Sequence, residues 1–120
     1  MLVIDAANVI GSRPTGWWRD RPGAARSFTE RVRATVTAGR LEPPVALVLE
    51  GRARKGADEA EIDGVAVVHA PGAADDTIAV IAQTHRDVVV VTADRELAER
   101  VRATDGKVVG PNWLLDRLID

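Results

Sequence analysis

Five short runs of valine, isoleucine and leucine recur along the chain. Longer stretches separate them, in which apolar residues return every three or four positions. The runs cover residues 2–5, 45–49, 65–69, 88–92 and 107–109. Short β-branched segments bounded by Gly, Pro and Asp predict strands. The fourth run has four consecutive valines, which predicts a strand covered on both faces. Ala25, Phe28, Val32 and Val36 fall at helical spacing and predict a helix over residues 22–38. Pro22 near its start and Gly39 after its end are the expected punctuation. Residues 8–21, rich in Gly, Pro and Trp, predict a loop. Pro43-Pro44 stops any helix and launches the second strand. A helix beginning near Asp75 buries Ile78, Ile81 and Ala82; another over 94–104 buries Leu97, Ala98 and Val101. Gly110-Pro111 opens a short last helix that uses Trp113, Leu114 and Leu118. Residues 51–63 carry three bases and then four acids, and predict a solvated connection where most of a helix is missing.

This alternation predicts an α/β fold: a three-layer α/β/α sandwich around a central, mainly parallel five-stranded sheet. The 120 residues make one domain, 1–120, without repeats or low-complexity segments.

Four of the runs lead to carboxylates. The first ends at Asp5 and the second at Glu50; the third leads through a Pro71-Gly72 turn to Asp75-Asp76, and the fourth to Asp94. In a parallel sheet these acids gather at one edge. Crowded carboxylates repel one another at neutral pH, and a divalent cation is the simplest compensation. Oxygen-only ligands favour Mg²⁺ or Mn²⁺, ions that stabilise charge on a phosphoryl oxygen and lower the pKa of water. Each acid also has a plain alternative. Asp94 and either Asp75 or Asp76 stand where helix N-caps belong, and Glu50 where a loop residue does. Caps explain them singly, but not why all lie at the same end of successive strands.

Composition narrows the chemistry. There are no cysteines, which excludes disulfides, thiolate zinc sites and cysteine nucleophiles and fits a cytoplasmic location. No apolar run approaches membrane-spanning length, and the first residues read as a strand rather than a signal peptide. The net charge of −2 looks wrong for a nucleic-acid binder, but its distribution counts for more than its sum. Arg13, Arg19, Arg21 and Arg26 form one basic stretch and Arg52, Arg54 and Lys55 another, and each follows a strand that ends in an acid. A negative pocket with positive flanks suits an anionic polymer held by its backbone. Trp17-Trp18 lies between Arg13 and Arg19 in a chain with three Trp, one Phe and no Tyr. Tryptophan stacks on unpaired bases and arginine contacts phosphate, so single-stranded or loop RNA is the expected partner. The plain alternative is that one tryptophan packs under the first long helix. His69 at a strand end and His85 at a helix end are read as structural.

Four segments resemble the PIN-like ribonuclease superfamily, and within it the bacterial NYN branch. Val3-Ile4-Asp5-Ala6-Ala7-Asn8-Val9-Ile10 is similar to that branch's opening, a hydrophobic strand running into D-x-x-N and an aliphatic pair. Val48-Leu49-Glu50-Gly51, Pro71-Gly72-Ala73-Ala74-Asp75-Asp76-Thr77-Ile78 and Val90-Val91-Thr92-Ala93-Asp94-Arg95-Glu96-Leu97 resemble its later segments, in order. The resemblance implies a metal-dependent endoribonuclease leaving a 5′-phosphate and a 3′-hydroxyl. It implies that Asp5, Asp76 and Asp94 are metal-binding catalytic acids, with Asp75 the alternative to Asp76 and Glu50 a further ligand. By the same resemblance, Asn8 bonds near the scissile phosphate or orients a metal-bound water, and Thr92 supports Asp94 or such a water. Ala6-Ala7 stands where the family often has Gly-Tyr, and Glu50 where it commonly has Asp.

Two rival readings remain. One is a metal-dependent pyrophosphohydrolase or phosphatase for a small substrate; a nucleophilic-Asp version usually needs a second Asp where Ala7 stands. The other is an RNA-binding module with little activity. A homo-oligomer is compatible with either.

Overall fold

A computed structural model describes all residues, 1–120. Six strands form one sheet in the order β3-β4-β2-β1-β5-β6. They are β1 (Leu2–Asp5), β2 (Val45–Leu49), β3 (Glu61–Ile62), β4 (Val65–His69), β5 (Val89–Val91) and β6 (Lys107–Val109). Five are parallel, as the alternation predicts, and β1 lies between β2 and β5.

The five helices are α1 (Ala6–Gly11), α2 (Arg21–Thr37), α3 (Ala74–Thr84), α4 (Arg95–Arg102) and α5 (Pro111–Leu115). Strand residues alternate between two cores, as the period of two requires. Ile4, Leu47, Val67 and Val91 join Val9, Phe28, Val32 and Leu114 on the face of α1, α2 and α5. Val3, Val48 and Val90 join Ile78, Leu97 and Val101 on the face of α3 and α4. The result is the expected three-layer sandwich. The chain steps outward from β1 to β2 and β4, then crosses back over β1 to β5 and β6. Because crossovers are right-handed, this reversal moves the helices to the opposite face and leaves a crevice beyond the carboxyl ends of β1 and β5.

Two expectations are corrected. Residues 8–11, expected as the start of a loop, belong to a helix over residues 6–11: Asp5 caps it, and Ala6 and Val9 bury into the core. Residues 51–63 are not a plain connection. Residues 51–56 form a 3₁₀ turn, and β3 pairs antiparallel with β4, which adds a sixth strand to the expected five. Asp63 (φ 52°) and Gly64 (φ 84°) are both left-handed, and the register pairs Ile62 with Val65 around them. That is a two-residue Asp-Gly hairpin, a signal present in the sequence.

Candidate active site at the carboxyl edge of the sheet

Asp5 is the last residue of β1 and the N-cap of α1, so its carboxylate faces the crevice with only 7% of the residue exposed. Thr92, buried just beyond β5, donates from Oγ1 to Asp5 Oδ2 at 3.0 Å. Thr92 Oγ1 also accepts the backbone N–H of Asp94 at 3.1 Å. The backbone N–H of Asn8 donates to Asp5 Oδ1 at 3.4 Å. Asn8 in turn accepts the Ala93 amide on Oδ1 at 2.7 Å, tying α1 to the loop after β5. That bond fixes the orientation of the side-chain amide, because a backbone N–H can only meet its oxygen. Asn8 Nδ2 makes no hydrogen bond within the chain and remains available as a donor.

The other acids are also anchored. Asp94 caps α4, accepting the Glu96 and Leu97 amides on Oδ1 at 3.0 and 3.1 Å, which leaves Oδ2 unengaged. Glu50 Oε2 accepts the Ala74 amide at 3.3 Å and thereby serves the start of α3. The α3 N-cap is Ala73, which has no side chain to cap with. Neither Asp75 nor Asp76 takes that role, contrary to the capping alternative.

Asp5 has no ion-pair partner. Burial raises its pKa above the ordinary 3.8; the bonds from Thr92 and Asn8 pull it down, and the charges of Glu50 and Asp94 push it up again. Asp5, Glu50 and Asp94 therefore share one field at the crevice. Asp75 and Asp76 instead meet a cation from α4. Arg100 Nη1 donates to Asp76 Oδ1 at 3.0 Å and lies 3.9 Å from Asp75 Oδ2.

On donor chemistry a hard divalent ion suits this crevice: the side chains are all oxygen donors, and the buried carboxylate has no cation. Spacing is less complete, since no three Asp, Glu or His side chains already form a metal-holding group.

The basic residues divide as well. Arg13 donates to Asn112 Oδ1 at 3.2 Å, and Arg54 donates to the Gly51 and Ala70 carbonyls at 3.1 and 3.4 Å. Arg19, Arg52 and Lys55 line one cleft of about 560 Å³ with Trp18, Asp20, Arg21 and Pro22. Arg21, from the first basic stretch, thus joins the residues expected to meet the polymer. The two tryptophans meet edge-on at 5.9 Å, Trp17 half-buried and Trp18 52% exposed. His69 is structural as expected: its Nε2 pairs with the Ala57 carbonyl at 2.7 Å.

The fold is an α/β/α sandwich around a mainly parallel sheet, with its polar crevice where the strand order reverses. Among solved structures, it is similar to the crystal structure of a point mutant of Rae1 (YacP) from Bacillus subtilis. The TM-score is 0.68 at 16% identity, over 96% of this chain and 71% of that one. At that identity the likeness is one of fold. No protein-family model matches the sequence, and no curated protein does.

Proposed function

We propose that this chain is a divalent-metal-dependent endoribonuclease acting on single-stranded or loop RNA, with its acidic site at the carboxyl edge of the sheet. The observation that carries this reading is the buried, uncompensated carboxylate of Asp5, bonded to Thr92 and flanked by Glu50 and Asp94. A fold maintains such a group at a cost, and a site for a cation gives it a use. Asp5, Glu50 and Asp94 would hold the ion, Mg²⁺ or Mn²⁺. When bound, such an ion supplies charge stabilisation on a phosphoryl oxygen and a more acidic water.

The chain's own residues set the stage for the rest. Thr92 holds the Asp5 carboxylate in one orientation and fixes the Asp94 backbone through the same hydroxyl. Asn8 Nδ2, free of partners within the chain, would donate to a non-bridging phosphate oxygen. Asp75 and Asp76 enter the ligand set only when they exchange Arg100 for the ion. Their pairing is partly exposed, so that exchange costs little.

One observation favours a second reading, an RNA-binding module without turnover: no three acids are yet gathered around one point. The two readings separate on cleavage. With Mn²⁺ and unstructured RNA, the nuclease reading expects cutting that a chelator stops and that Asp94→Asn abolishes with the fold intact. No cutting across several RNAs with Mn²⁺ present overturns it. Hydrolysis of nucleoside triphosphates in preference to RNA would instead mark a pyrophosphohydrolase.

A further inference from the structure

The first wall of the basic cleft is the 3₁₀ turn Trp17–Arg19 and the head of α2; the second is the 3₁₀ turn Gly51–Gly56. Arg19, Arg21, Arg52 and Lys55 surround it, and none of the four makes an ion pair. None donates a side-chain hydrogen bond within the chain either, whereas Arg13, Arg31, Arg54, Arg100 and Arg117 all do. The cleft's one carboxylate, Asp20, is occupied as the cap of α2, accepting the Gly23 amide at 3.0 Å. Another cleft, beside α4, offers Arg95 and Arg102 but sets Glu99 between them. Four unpaired cations in one concavity of an acidic protein form a site for an anion.

Three features narrow the ligand. Trp18 is one of three large apolar side chains left exposed, and it lines this cleft. Its ring stands perpendicular to that of Trp17, with centroids 5.9 Å apart, and the guanidinium carbon of Arg19 lies 5.9 Å from its centroid. The walls are also fixed. A Cβ on Gly56 would lie 2.3 Å from the Pro22 carbonyl oxygen, so glycine lets the second wall press directly on α2. The volume of about 560 Å³ is of the size that admits a nucleotide.

We propose that this cleft is a subsite for one unpaired nucleotide, with the base stacked on Trp18 and the adjoining phosphates held by Arg19, Arg21, Arg52 and Lys55. The choice of RNA as the source of that nucleotide rests on the nuclease reading. A stacked base must be free of its complement, so the subsite makes the protein a reader of unpaired RNA and disfavours duplex.

The test is fluorescence anisotropy on the full chain, with chelator present to stop turnover, using labelled oligouridylate and an RNA duplex of the same length. Trp18→Ala is expected to weaken oligouridylate binding about tenfold, with Trp18→Phe largely restoring it. The double variant Arg52→Gln, Lys55→Gln is expected to lower the slope of log affinity against log salt by about 1.4, or about 0.7 per lost phosphate contact. Arg86→Gln, on a different surface, is the control and leaves both unchanged. The subsite is overturned if Trp18→Ala binds like the parent, if duplex binds as tightly as single strand, or if Arg86→Gln weakens binding as much as the double variant. Those outcomes leave the nuclease reading standing where Asp94→Asn still abolishes cleavage. Failure of the parent to bind oligouridylate at all overturns the subsite directly, and cleavage assays then judge the nuclease reading alone.

Discussion

Asp5 acts on folding in two opposite directions. As a cap it helps start α1, but as a buried charge it opposes folding. Its folded pKa lies above the ordinary 3.8, so the native state holds the proton more tightly than the unfolded chain does. Its contribution to stability is therefore most favourable below that value and is lost as pH rises through the folded pKa. Asp5→Asn keeps a capping side chain and removes the charge. It is expected to abolish cleavage while raising the melting temperature at neutral pH, with the gain closing as the solution is acidified toward 3.8. Calorimetry across the acid range checks this; a lower melting temperature at pH 7 would mean that burial is not the dominant influence on the group. Thr92→Val keeps the shape and removes the hydroxyl that serves both Asp5 and Asp94. It is expected to cost about 1–3 kcal/mol in denaturant unfolding, because a buried acceptor loses its donor. At this scale the sequence was legible for the convergence of Asp5 and Asp94, which stand at the ends of two adjacent strands, but not for Asn8, which was expected in a loop and lies in α1. It was not legible for the Asp76–Arg100 pair. Those residues are 24 positions apart and meet only because α3 and α4 pack side by side.

Elements follow the same logic. The long helix and the valine-rich strands were readable because each repeats its period often enough to show. The six residues of α1 are too few to show a period, and their cap was already counted as a strand end. The two-residue β3 shows no alternation at all, and only its Asp-Gly turn announces it. The turn that bears Arg52 and Lys55 depends on Gly56 against α2. Gly56→Ala is expected to destabilise by about 1–3 kcal/mol through overpacking, to shift the basic turn, and to weaken single-stranded RNA binding with it. Urea unfolding and anisotropy measure the two effects separately. Arg100→Ala, by contrast, breaks a partly exposed pair and is expected to change stability by no more than about 1 kcal/mol. Its more telling readout is the Mn²⁺ concentration needed for half-maximal cleavage, which should fall once Asp75 and Asp76 are released.

At the scale of the whole molecule, charge is divided rather than balanced: acids face the crevice at the strand reversal, and unpaired bases line the cleft beside α2. No helix is long and apolar enough to cross a membrane. The sheet's layout has a further consequence. Its middle member, β1, is the first strand in the chain, and its two neighbours begin at residues 45 and 89. A chain ending before β5 is expected to remain without cooperative structure, which circular dichroism and hydrogen exchange would report. The same order governs what happens while the polypeptide is being made. Until β5 is made, the growing chain carries an apolar ribbon whose second hydrogen-bonding side has nothing to join, a surface open to sticking. This domain should therefore depend on being shielded until β5 has emerged.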